Sequence, residues 1–165
     1  MDLFVPNGWS SYFSTMASAS ATLTGLLFVA VSINLTKILE VKGLSGRAAE
    51  SLVQLFGVLA ITTSILIPGL HTRNLGSLIL GIASLVWVLQ GIVQGRYVAL
   101  RTGNPRLWIL SRVVQTQLAC IPLLVSGVLL LSGSPIALYW TAAGIILSLA
   151  GSILNAWVLL VEILR

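Results

Sequence analysis

The sequence predicts an all-α membrane protein: one bundle of five transmembrane helices, N-terminus outside and C-terminus inside. Three observations carry this. First, 57% of the 165 residues are hydrophobic and only 8% are charged, against about 25% charged in a soluble domain. Such a chain lacks the polar surface to cover a water-soluble globule. Second, the apolar residues gather into five segments near residues 12–36, 50–67, 75–94, 107–131 and 136–164. Each is close to the roughly 20 residues a helix needs to cross a bilayer. Third, cations sort by parity. Lys37, Lys42, Arg47, Arg96, Arg101, Arg106, Arg112 and Arg165 all fall on one side when the chain is threaded back and forth, and of the nine Lys and Arg only Arg73 falls on the other. Loops rich in Lys and Arg stay cytoplasmic, which sets the orientation. Residues 1–165 then form a single membrane domain.

The elements follow in order. Residues 1–10 are expected to be a short outer tail with a turn at Val5-Pro6-Asn7-Gly8. Met1-Asp2 has no basic run before the first apolar stretch, and that stretch has no good cleavage site at its end. It is therefore expected to stay as the first span, not to be a signal peptide. Residues 37–49, with Gly43 and Gly46, should form the first inner loop. The second span ends at Pro68-Gly69, and a tight outer turn holds His71, Arg73 and Asn74. After the third span, residues 95–106 form the longest basic loop. Asn104-Pro105 then fits a helix start with an Asn cap and Pro at the first helical position, and Ser134-Pro135 repeats that pattern before the fifth span. Pro122 is expected to bend the fourth span.

Aromatic side chains agree with these levels, since such rings favour the headgroup region. Trp9, Tyr12, Tyr139 and Trp140 would mark the outer interface, and Tyr97 and Trp108 the inner one. Trp87 and Trp157 lie deeper and are expected to pack between helices. The hairpin of spans two and three also resembles that of spans four and five: Val53-Gln54 matches Val114-Gln115, and Gly81-Ile82 matches Gly144-Ile145. A parallel duplication with one added N-terminal span would produce this.

Polar residues inside the spans are few and patterned. Ser11, Thr15, Ser18, Thr22 and Gly25 recur at three–four spacing along the first span, and Ala17, Ala21 and Gly25 make a neighbouring small-residue row. Small faces let helices approach where lipid gives no hydrophobic drive, and a hydroxyl stripe can also line a hydrated path. Residues 11, 15, 18, 22 and 25 are thus the candidate pore or subunit interface. Asn34, Gln54, Gln90, Gln115 and Asn155 place at least one carboxamide from each span in the cytoplasmic half, joined there by Gln94 and Gln117. Unpaired amides in hydrocarbon are costly, so these should face one another or water as a polar layer or a vestibule. Arg112 lies about one turn inside the fourth span, where it could snorkel or pair with Glu50 or Glu162.

Several functions lose ground. The acids are Asp2, Glu40, Glu50 and Glu162, none near the midplane, which disfavours a proton relay and a Ca²⁺ or Mg²⁺ site. One histidine and one cysteine exclude an internal disulfide, a bis-His haem site and a multi-His zinc site. No metal or other cofactor is expected. No nucleophile–base–acid set or phosphate-cradling loop is visible, so the expectation is a non-enzyme. The net charge of +5 flanks spans, which suits anionic inner-leaflet lipids and not nucleic acid.

Thr24-Gly25-Leu26-Leu27-Phe28-Val29-Ala30-Val31-Ser32-Ile33-Asn34-Leu35, followed by Arg47-Ala48-Ala49-Glu50, resembles a family of small, mostly uncharacterised bacterial integral membrane proteins. Members are sometimes labelled modulators of a membrane-bound AAA protease. The resemblance covers roughly the first third of the chain and implies a bacterial inner-membrane protein. It places Gly25, Ser32, Asn34, Arg47 and Glu50 in one working hairpin and brings no catalytic residues. The hydroxyl stripe of the first span and the one-sided carboxamide layer set the expectation of a homo-oligomeric, channel-like or small-solute-conducting assembly. The alternative is a regulatory or scaffold subunit that docks on another membrane protein such as a protease.

Overall fold

The computed structural model describes residues 7–40, 43–100 and 106–164, without the side chains at 7, 97–100, 106–109 and 162–164. The described residues form six helices and no strand: α1 Asn7–Ile33, α2 Leu35–Glu40, α3 Leu44–Ile65, α4 Thr72–Leu100, α5 Arg106–Leu131 and α6 Ala137–Leu164. All but α2 are long and apolar enough to cross a membrane. The shortest of the five, α3, has 22 residues and spans about 33 Å at 1.5 Å per residue, matching a hydrocarbon core of about 30 Å.

Four helices close a ring. α3 packs on α4, α4 on α5, α5 on α6, and α6 back on α3. α1 lies outside this ring against α3, touching α6 more lightly. α3 is thus the central helix, and α3 and α5 face each other across the ring. The two hairpins, α3–α4 and α5–α6, form the two halves of the ring. Their matched glycines differ in setting, however: Gly144 is buried against Leu123 while Gly81 is exposed.

The half of the bundle nearest the 66–71 and 132–136 turns is filled by apolar side chains. Ile61, Ile79, Leu123, Leu130, Leu138 and Ile145 are fully buried there, with Phe13 of α1 added from outside. A smaller cluster of Leu27, Ile38, Leu44, Ala48, Leu55 and Leu159 sits toward the opposite, basic end. Glycines set how closely the helices approach. A Cβ on Gly127 would come within 2.9 Å of the Leu80 backbone, and one on Gly76 within 2.9 Å of the Leu131 nitrogen. These contacts bring α4 and α5 close by backbone, as expected where lipid supplies no hydrophobic drive.

Boundaries differ from expectation at the basic end. The first inner loop is largely helical, because α2 fills 35–40 and α3 begins at Leu44 after Gly43 at φ 97°. Leu44 and Ala48 have apolar surface to bury against Ile38 and Leu159, and this extends the helix past where hydropathy alone would end it. The next loop is shortened in the same way, since α4 runs to Leu100. Asn7 and Gly8 open α1, whereas Val5-Pro6 and Asn104-Pro105 lie outside the described residues. α5 continues unbroken through Pro122. It ends in a Schellman turn: Gly133 has φ +73°, its N–H donates to Leu130 O at 3.0 Å, and Ser134 N–H donates to Leu129 O at 2.9 Å.

The aromatics also need one correction. Trp9 stacks on Phe13 and meets Tyr12 and Tyr139 edge-on, tying the start of α1 to α6. Trp87 and Trp157, expected to pack between helices, are instead 44% and 66% exposed. In a membrane an exposed indole meets lipid and needs no burial; Trp87 Nε1 donates to Gln117 Oε1 at 3.1 Å.

Candidate functional site: a polar layer across the ring

Charged and amide groups sit inside the ring on its basic side. Glu50 of α3 and Arg112 of α5 each stand six residues past the first residue of a helix that enters from the basic end. They meet across the ring with Nη2 2.6 Å from Oε1, exposed by only 3% and 6%. The approach is an ion pair lying off the line of a good hydrogen bond. Arg112 therefore does not snorkel outward. The side chain of Glu162, its other expected partner, lies outside the described residues.

Carboxamides surround this pair and join the remaining helices. Gln90 Nε2 of α4 donates to Glu50 O at 3.0 Å and to Gln54 Oε1 at 2.9 Å. Gln54 Nε2 donates to Ser148 Oγ of α6 at 2.7 Å. Gln115 Nε2 of α5 donates to Gly151 O of α6, also at 2.7 Å. Gly151 makes room for this, because a Cβ there would lie 2.7 Å from the Gln115 amide nitrogen. Every helix of the ring is thus bound to a neighbour at one level by groups that hydrocarbon cannot satisfy. Two buried atoms lining the site, Gln90 Oε1 and Ser152 Oγ, accept or donate no hydrogen bond. The space beside them is about 20 Å³, lined also by Thr116, Ala119 and Asn155, which is room for about one water. Half-buried Gln115, Thr116 and Asn155 mark where the layer approaches the outside. Gln94 pairs with Thr116 across α4 and α5 just beside it.

Gln54, Gln90, Gln115 and Asn155 thus line one layer with Glu50 and Arg112. Asn34 is elsewhere: it sits between α1 and α2 and its Nδ2 donates to Ala30 O at 2.9 Å, one turn back. Because α1 lies outside the ring, its carboxamide serves its own helix end. The hairpin singled out by resemblance divides in the same way. Gly25 and Ser32 face outward, with Ser32 Oγ donating to Phe28 O, while Arg47 and Glu50 are buried.

The hydroxyl stripe of α1 lines no space within the chain. Ser11, Thr15, Ser18, Thr22 and Gly25 are all exposed. Thr15, Ser18 and Thr22 donate to the carbonyls of Ser11, Ser14 and Ser18, the local bond by which hydroxyls tolerate a helix surface. The inner face of α1 is instead Phe13, Ser20, Thr24 and Leu27. Ser20 Oγ donates to Leu55 O of α3 at 2.7 Å, a cross-helix bond the sequence reading passed over. Its signal was present, because Ser20 falls a heptad from both Phe13 and Leu27, opposite the stripe. Ser148 and Ser152 of α6 also line the polar layer. No group of three metal-ligating side chains occurs among the described residues. No family model, curated protein or solved structure matches this chain.

Proposed function

We propose that this is a non-enzymatic protein of the bacterial inner membrane, with its basic end in the cytoplasm, that works as a homo-oligomer built on α1. Ions or small polar solutes would pass along the shared α1 face and not through the interior of one chain. The observation that carries this is the outward display of Ser11, Thr15, Ser18, Thr22 and Gly25 on a long helix attached to one side of the ring. The ring itself supports no passage. One half is filled with fully buried aliphatic residues, and the polar layer has room for about one water. Its amides and ion pair hold the helices in place, while the exposed hydroxyl oxygens of α1, their protons given to the helix itself, can still accept from a second chain or from water.

The test uses single cysteines at Ser18 and Thr22 in a Cys120→Ala background. Oxidation in native membranes should give a ladder of self-linked chains. Reconstituted protein should pass ions or small polar solutes, and Ser18→Leu with Thr22→Leu should lower that flux at least severalfold without changing thermal stability. Tight liposomes across ionic conditions and solutes would sink conduction.

A docking subunit for another membrane protein is the second reading. It is favoured by the self-bonded state of these hydroxyls, since a surface whose donors are already used suits a dry protein contact as well as a wet one. The membrane protease partner named by the resemblance belongs to this reading. Cross-links from residues 18 and 22 to a single foreign membrane protein, with no self-linked ladder, would select it.

A further inference from the structure

A second recess lies apart from both the polar layer and the hydroxyl stripe. Toward the basic end α1 and α6 diverge, leaving a groove of about 250 Å³. Leu23, Leu27 and Ala30 form one wall, Ala156 and Leu159 the other, and Ile38 of α2 closes one end. No polar side chain lines it.

α2 fixes the level of that closed end. The chain turns at Asn34, and the six residues of α2 are amphipathic: Leu35, Ile38 and Leu39 fall on one side, Thr36, Lys37 and Glu40 on the other. Ile38 is buried, whereas Leu35 and Leu39 are 49% and 68% exposed. A short helix with this pattern lies in the plane of the membrane interface. The groove therefore runs from headgroup level, beside a helix bearing Lys37, into the hydrocarbon. Among the described residues, the same end of the molecule holds five cations, Lys37, Arg47, Arg96, Arg106 and Arg112, and three acids, Glu40, Glu50 and Glu162, a sum of +2. The wall chemistry excludes a polar solute, and the charge at the mouth favours an anionic head.

We infer that this groove binds one acyl chain of an anionic phospholipid, with its phosphate held at the level of α2. Apolar contact alone gives little preference inside a bilayer, because a lipid tail there is already in hydrocarbon. Selectivity comes from the headgroup, where each cation near the surface contributes about fivefold in binding. The groove lies on a different side of α1 from Ser18 and Thr22, so this site is independent of the oligomer contact.

The full chain is purified in mild detergent with equal amounts of phosphatidylglycerol and phosphatidylethanolamine of identical tails, and retained lipid is measured by native mass spectrometry. Phosphatidylglycerol should be retained severalfold over phosphatidylethanolamine. Ala30→Trp and Ala156→Trp, which fill the groove, should each abolish that excess. Lys37→Gln, which leaves the walls untouched and decides the matter should a tryptophan variant not fold, should lower the excess by about fivefold. Equal retention of the two lipids overturns the inference, as does an excess that survives the groove-filling variants or K37Q. Disulfides between Leu26→Cys of one copy and Leu160→Cys of another would also overturn it, by placing a second chain in the groove.

Discussion

At the residue scale the Glu50–Arg112 pair governs the interior. Two charges at 2.6 Å, nearly unexposed, gain from each other only part of what their removal from water costs. Deleting one partner leaves the other charge stranded, a loss of about 3–5 kcal/mol, whereas replacing both with apolar groups of similar volume is often neutral. Arg112→Met is thus expected to destabilise the chain by about 3–5 kcal/mol, and Glu50→Met combined with Arg112→Met should recover most of it. Denaturant unfolding in micelles, followed by helical circular dichroism, measures both. A double variant no more stable than Arg112→Met would show that the two charges are uncoupled. The candidates for this pairing were visible in the sequence, since an arginine one turn inside a span can snorkel or pair with a carboxylate, and Glu50 and Glu162 were the carboxylates in reach. What the sequence lacked was the order of helices around the ring. That order puts α3 opposite α5, brings Gln90 between them, and leaves Asn34 outside with α1. Periodicity gives each helix a polar side but does not say which helix that side meets.

At the element scale, glycines separate helix faces that sequence alone treats alike. Gly127 and Gly91 both sit on apolar helices among small residues. Gly127 meets the Leu80 backbone at 2.9 Å from an ideal Cβ, whereas Gly91 has nothing within 4 Å. Gly127→Ala should therefore force α4 and α5 apart, at about 1–3 kcal/mol for overpacking. Gly91→Ala should be neutral or stabilise the isolated chain by up to about 1 kcal/mol through helix propensity. Thermal unfolding of the two variants side by side checks this. A loss with Gly91→Ala that appears only in the cross-linkable oligomer would mark that face of α4 as a second subunit contact. The five long helices were legible because a hydropathy run of spanning length has few other uses. Their inner ends were not, since α2 and the first turn of α3 are amphipathic and are ordered by Ile38, Leu44 and Ala48 packing under α1. That contact is between distant segments and leaves no local mark in composition.

At the scale of the whole molecule, the two ends differ in kind. One is closed by short turns around Gly69 and Gly133, both at positive φ, with aromatic rings of Trp9, Tyr12 and Tyr139 gathered beside it. The other carries, among the described residues, the cations Lys37, Arg47, Arg96, Arg106 and Arg112, the amphipathic helix α2, the polar layer and the apolar groove. Because cationic loops stay on the cytoplasmic side of a membrane, this difference should fix a single orientation. Single cysteines in a Cys120→Ala background test it, since Ser132 and Ser45 are exposed at opposite ends of the bundle. Ser132→Cys should react in intact cells with a membrane-impermeant maleimide, and Ser45→Cys only after permeabilisation. Moving the charge should move the protein: Arg96→Ser, Arg101→Ser and Arg106→Ser together with three lysines added between residues 132 and 136 should yield a mixed or inverted population. Labelling of Ser45→Cys in intact cells carrying the unaltered charges would reverse the assignment, and with it the leaflet in which the anionic lipid of the groove is to be sought.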